Sequence, residues 1–122
     1  MVPDWAGYLR FRDAFAAVLD PRLYTIGWLD GEILSGNLLL WVGREAAIVA
    51  QIRRYPTGAM DVEGLIAAGD LEEIVRDLIP AGEAWGRSIG CVGAIIESRE
   101  GWARVLAPHG YRVHQIALRK EL

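Results

Sequence analysis

The chain has 122 residues, thirteen basic against sixteen acidic, and a single cysteine, Cys91. That length suits one core-bearing domain, and a lone thiol builds neither an internal disulfide nor a thiolate metal site. A net charge of −3 excludes a general nucleic-acid binder, which needs a clustered basic face. No apolar run approaches the roughly 20 residues of a membrane helix, and the opening MVPDWAGYLR lacks the apolar core of a secretion signal. A cytoplasmic globular domain is expected, with no membrane or nucleic-acid partner. Twelve arginines against the single Lys120 read as the composition of a GC-rich genome before they read as function. No linker or repeat divides the chain, so residues 1–122 form one unit.

Asp4 is placed to cap a first helix over 5–19, with Trp5, Tyr8, Leu9, Phe15, Ala16 and Leu19 recurring on one face. Asp20-Pro21 stops it, because a residue before proline leaves the helical region. A weaker helix, interrupted by Gly27 and Gly31, spans 25–34. The period then changes. Residues 38–42 are a continuous apolar run, as in a strand covered on both faces. Residues 46–55 alternate, with Ile48, Ala50 and Ile52 against Val49, Gln51 and Arg53. Pro56-Thr57-Gly58 turns the chain into a return strand over 59–67.

Asp70 and Glu73 have the spacing of a capping box at the start of a long helix. Its apolar stripe (Leu71, Ile74, Val75, Leu78, Trp85, Ile89) runs to Gly90, a left-handed stop, and Pro80 predicts a kink near 76–80. A short strand over 92–96 follows, then a helix capped by Ser98 and ended by Pro108-His109-Gly110, then a last strand over 111–120. The crossover from 59–67 to 92–97 should be right-handed and parallel. The expected fold is α/β, a mixed sheet of about five strands with helices on both faces.

This order resembles the GNAT superfamily, the acyl-CoA N-acyltransferases. GWARVLAPHGYR, 101–112, is similar to the family's helix followed by a Gly-aromatic pair. EAWGRSIGC, 83–91, is similar to the end of its central helix. More narrowly, the combination resembles small GNAT-like proteins of tailed phages and prophages. The resemblance implies a GNAT-like domain without the family's usual first strand, in which strands 59–67 and 92–97 splay around an acyl-CoA thioester. It implies acetyl-CoA as cofactor, with the pyrophosphate held at the start of the central helix, on Ala68, Gly69, Asp70, Leu71 and Glu72. A carboxylate near the splay would deprotonate the acceptor amine. Glu63 is the first candidate and Glu97 the second.

The sequence also departs from that pattern. The family's pyrophosphate loop reads [RQ]-x-x-G-x-[GA], whereas here Ala67-Ala68-Gly69-Asp70-Leu71-Glu72-Glu73 retains one glycine and puts three carboxylates in the first turn. A phosphate there meets like charge, and Asp70 competes for the amides. Val105, Leu106 and Ala107 stand where the family carries a leaving-group tyrosine, and one strand follows Gly110 where the family has two. Two functions follow: an acyl-CoA-dependent N-acetyltransferase with a degenerate loop, or a non-catalytic GNAT-like interaction module of phage or prophage origin. A missing edge strand predicts a homodimer that shields the sheet.

Other residues have plainer readings. Asp61 and Glu63 share a strand face, which a solvated surface also explains. Glu97 and Arg99 flank a helix-capping loop as well as a ligand-binding strand end. Cys91 reads as a buried inert thiol. His109 and His114 lack the spacing or the partners of a metal site. The five tryptophans read as core, and Arg44, Arg53, Arg54 and Arg112 as part of a mixed surface.

Overall fold

The computed structural model describes residues 2–122, and no helix among them is long and apolar enough to cross a membrane. Helices α1 (Trp5–Val18) and α2 (Ile26–Ser35) precede three antiparallel strands, β1 (Leu39–Val42), β2 (Ala46–Arg54) and β3 (Met60–Gly69). A central helix follows as α3 (Leu71–Glu73), a π-helical turn (Ile74–Leu78) and α4 (Ile79–Ser88). Strand β4 (Gly93–Ile96) then pairs parallel to β3, and α5 (Gly101–Leu106) runs into a 3-10 turn, Ala107–His109. The sheet order is β1-β2-β3-β4.

The fold is the expected mixed α/β one, with four strands in place of about five. Residues 111–120 form no strand. Val113, Ile116 and Leu118 are 66%, 77% and 92% exposed, so the alternation found no apolar surface to lie on. Strand propensity is realised only where a neighbour supplies hydrogen bonds and one buried face.

Helices cover both faces of the sheet. Tyr8, Phe11 and Phe15 of α1, with Leu29 and Ile33 of α2, pack on Ala47, Val49 and Ala68. On the opposite face, Ile74 and Leu78 of the central helix pack on Ala46 and Ile48. Asp4 caps α1 by accepting the Gly7 N–H at 2.9 Å, and Thr25 caps α2 through the Trp28 N–H. The core face of α1 is centred on 8, 11 and 15, so Phe11 is buried and Leu9, counted on that face in the sequence, is exposed. Trp28 is also not core. It lies 38% exposed against the Tyr24 ring.

The kink expected at Pro80 is a π turn. Proline has no N–H and its ring crowds the carbonyl four residues back. The helix accommodates it by one wider turn, in which the Ile79 N–H reaches five residues back to the Ile74 carbonyl. Gly90, at φ +96°, ends the helix in the left-handed stop expected of it. Ser98 caps nothing: α5 begins after Glu100, without a side-chain cap.

One polar tie joins the first two helices. The Tyr8 hydroxyl donates to Asp30 at 2.7 Å, and Arg12 grips the same carboxylate with two bonds of 2.8 and 2.9 Å. The Arg12 guanidinium holds the Asp30 carboxyl below its ordinary range, and burial pushes the Tyr8 phenol up. A carboxyl with a depressed folded-state pKa stabilises above its unfolded value of about 3.9, and that contribution is lost as pH falls through the folded value. Asp30→Asn therefore should lower the melting temperature at pH 7 and flatten its fall on acidification below about pH 4, read by thermal melts across pH.

Candidate functional site

The hairpin turn sets the site's register. The Tyr55 N–H donates to the Ala59 carbonyl, which places Arg53 opposite Asp61 and Gln51 opposite Glu63 on the sheet face that carries α1 and α2. Those helices cover Ala47 and Val49 on this face, and a polar ladder begins where that apolar core gives out.

Glu63 is 3% exposed, and each of its oxygens accepts one hydrogen bond. Gln51 Nε2 donates to its Oε1 at 2.6 Å, and Arg53 Nη1 donates to its Oε2 at 3.2 Å. The same Arg53 nitrogen lies 3.8 Å from Glu97, whose side chain is 63% exposed just past β4. The structure thus brings Glu63 and Glu97 to one guanidinium. Asp61 is turned to another partner, the Tyr55 hydroxyl at 2.7 Å, and that bond raises the Tyr55 pKa.

The two carboxylates stand where the sheet opens. Pairing of β3 with β4 runs from Asp61–Gly93 to Gly64–Ile96, where β4 ends, while β3 continues through Leu65–Gly69 with no strand on that side among the described residues. A bulge marks the spot. Val49 pairs with Ile66 and Ala50 with Gly64, so Leu65 is the extra residue, and such an insertion bends its strand.

Past the opening, β3 delivers the chain into the central helix. The Asp70 N–H donates to the Glu45 carbonyl at 2.9 Å, and Asp70 Oδ2 accepts the Glu73 N–H at 2.9 Å. The other half of the capping box is not made. Glu73, 8% exposed, instead accepts the Glu45 N–H at 2.9 Å and the Arg44 N–H at 3.3 Å, tying the β1–β2 connection to the helix start. Glu72 is exposed and ion-paired with Arg76 at 3.1 Å. Of the three carboxylates expected to crowd the first turn, one points into the β1–β2 connection and one is paired. Asp70 occupies a single amide. The amides of Leu71 and Glu72 meet no acceptor among the described residues. Beside them a groove of about 740 Å³ runs between the central helix and α5, lined by Leu71, Val75, Pro80 and Val105 and carrying Glu72, Arg76 and His109.

No protein-family model and no curated protein sequence matches the chain, so its likenesses are structural. An acetyltransferase of Trypanosoma brucei superposes with a TM-score of 0.67 at 17% identity, over 98% of this chain and 93% of that one. Glucosamine-6-phosphate N-acetyltransferase of Arabidopsis thaliana gives 0.70 at 11% identity, over 99% and 95%. The ribosomal-protein-alanine N-acetyltransferase of Brucella melitensis biovar Abortus gives 0.72 at 8% identity, over 98% and 94%. The chain has the GNAT acetyltransferase fold. In this GNAT-fold protein the sequence marks the two carboxylates, Glu63 within β3 and Glu97 just past β4, and the helix start at Asp70; the opening of the sheet and the use of the amides were implied by the family resemblance alone. Arg53, the group that joins the carboxylates, is not marked and reads as general surface. Counting register outward from the Pro56-Thr57-Gly58 turn would have placed it opposite Asp61 and beside Glu63.

Cys91 is half-buried and burial pushes its thiol up, which leaves it a poor nucleophile at neutral pH.

Proposed function

We propose that this protein is an acyl-CoA-dependent N-acetyltransferase with a weak hold on its cofactor. The observation that carries the reading is the end of β4 at Ile96, past which β3 runs on to Gly69 with that edge uncovered, and the position of Glu63 and Glu97 beside that end. Acetyl-CoA, when bound, supplies the acyl group as an activated thioester. The backbone of 68–72 would hold its diphosphate, chiefly through the Leu71 and Glu72 amides, which sit at the positive end of the helix dipole. Arg76, paired with Glu72 and Asp77, borders the adjoining groove.

Glu63 is the proposed base. Two of its four acceptor positions are taken by Gln51 and Arg53, which leaves capacity to accept the amine proton through a water. Glu97, exposed on the same guanidinium, helps hold Arg53 in place beside Glu63. No tyrosine lines the groove. The acceptor is an amine carried by a small molecule or a protein.

Asp70 and Glu72 still stand beside the amides, and that crowding is why the affinity is expected to be low. A melting series against acetyl-CoA tests the reading. A ligand at 100 times its dissociation constant adds about 2.7 kcal/mol, a rise of several degrees for a chain of this size. A flat melting temperature up to millimolar acetyl-CoA would leave the second reading, a non-catalytic interaction module of phage or prophage origin.

A further inference from the structure

We infer that Gln51 selects the acceptor: its side-chain oxygen takes a hydrogen bond from a hydroxyl or N–H that the acceptor carries about three carbons from its amine. The inference rests on the acetyltransferase reading and adds the chemical class of the acceptor, a short amine with a second donor. Three observations lead there. First, the nitrogen of the Gln51 amide is already committed. A base must be ionised to act, and an ionised carboxylate only accepts. Nε2 therefore faces Glu63, at 2.6 Å, and the Gln51 oxygen is turned away from it.

Second, that oxygen meets no donor among the described residues, and it is not sealed in, since no buried side-chain oxygen or nitrogen among them lacks a partner. It is an accessible acceptor whose direction is fixed by a buried carboxylate. Its neighbours are engaged: Arg53 donates to Glu63, and the Tyr55 hydroxyl donates to Asp61. Third, its position suits a small molecule. Gln51 lies half-buried in β2 directly opposite Glu63 in β3, while Val49, before it on the same face, is fully buried under α1 and α2. Directly opposed side chains on a sheet start about 5 Å apart. A group on the Gln51 oxygen and a nitrogen served by Glu63 therefore stand roughly 5 Å from each other, the span of a three-carbon chain. A donor placed there replaces water on the oxygen, which favours such an acceptor about 3–10-fold.

Acetyl transfer to a matched pair of amines tests it. 3-Aminopropan-1-ol and butylamine have the same number of heavy atoms and differ by a hydroxyl in place of a methyl. The readout is the ratio of their kcat/KM values, in the wild type, in Gln51→Met and in Gln51→Asn, which draws the amide back by one carbon. The wild-type ratio should favour the amino alcohol about 3–10-fold, and both variants should bring it close to unity. The ratio cancels any disturbance of Glu63, because a residue that merely positions the base slows both amines alike. A ratio unchanged in both variants overturns the inference and leaves Gln51 as a support for Glu63. A wild type that transfers to both amines equally, or prefers butylamine, also overturns it while the acetyltransferase reading stands. Transfer to neither amine by the wild type removes that reading and this inference with it.

Discussion

Gly69→Ala should lower the melting temperature on the order of 10 °C, whereas Gly58→Ala should lower it by about half as much or less. The two glycines share a left-handed backbone, with φ +101° and +89°. Their surroundings differ. A Cβ on Gly58 meets nothing within 4 Å, but one on Gly69 overlaps the Glu45 carbonyl oxygen and lies 2.6 Å from the Ala46 Cα. The backbone term alone is roughly 1–2 kcal/mol, and forcing β2 away adds about 1–3 kcal/mol of overpacking. Relief by movement is blocked, because the Asp70 N–H bond to Glu45 and the Glu73 bonds to Arg44 and Glu45 hold both sides of the contact. Circular dichroism melts of the two variants check the ranking. Equal losses would mean that only φ matters at Gly69.

That junction also shows which parts of the fold are legible locally. Asp4, Gly90 and Pro80 announce a cap, a stop and a kink because each acts on groups within five residues of itself. The capping box at Asp70 was half legible for the same reason. Asp70 bonds the amide three residues on, but Glu73 is drawn to amides 28 and 29 residues back in the chain, a choice that spacing cannot reveal. Leu9 and Phe11 show a second limit. Both lie within the apolar arc of α1, and only the sheet it lands on decides that Phe11 faces inward. The strand expected at 111–120 has the right residues, and what it lacks is a neighbour, which a single sequence does not display.

The candidate site divides in the same way. Glu63 stood out as an acid on the strand that borders the opening, and Glu97 as one at the end of the next strand. Their coupling through Arg53 depends on hairpin register, on the parallel pairing of β3 with β4, and on where that pairing stops.

Glu63→Gln should then cut acetyl transfer about 100-fold or more while leaving the acetyl-CoA melting shift in place. A well-placed general base contributes roughly 10²–10⁴-fold. The amide keeps the volume and can still accept from Arg53, so the buried position is not left empty. It removes the group that takes the proton. Glu97→Gln should cost less, on the order of 10-fold, since solvent reaches the same place and substitutes for an exposed carboxylate. Arg53→Lys separates positioning from chemistry: it keeps one positive charge, but its shorter side chain withdraws the nitrogen that now stands 3.2 Å and 3.8 Å from the two carboxylates, so turnover falls with the melting shift retained. Steady-state rates paired with melting shifts on the three variants decide the roles. A larger loss in Glu97→Gln than in Glu63→Gln would move the base to the exposed carboxylate, and full activity in both would remove the polar ladder from the chemistry.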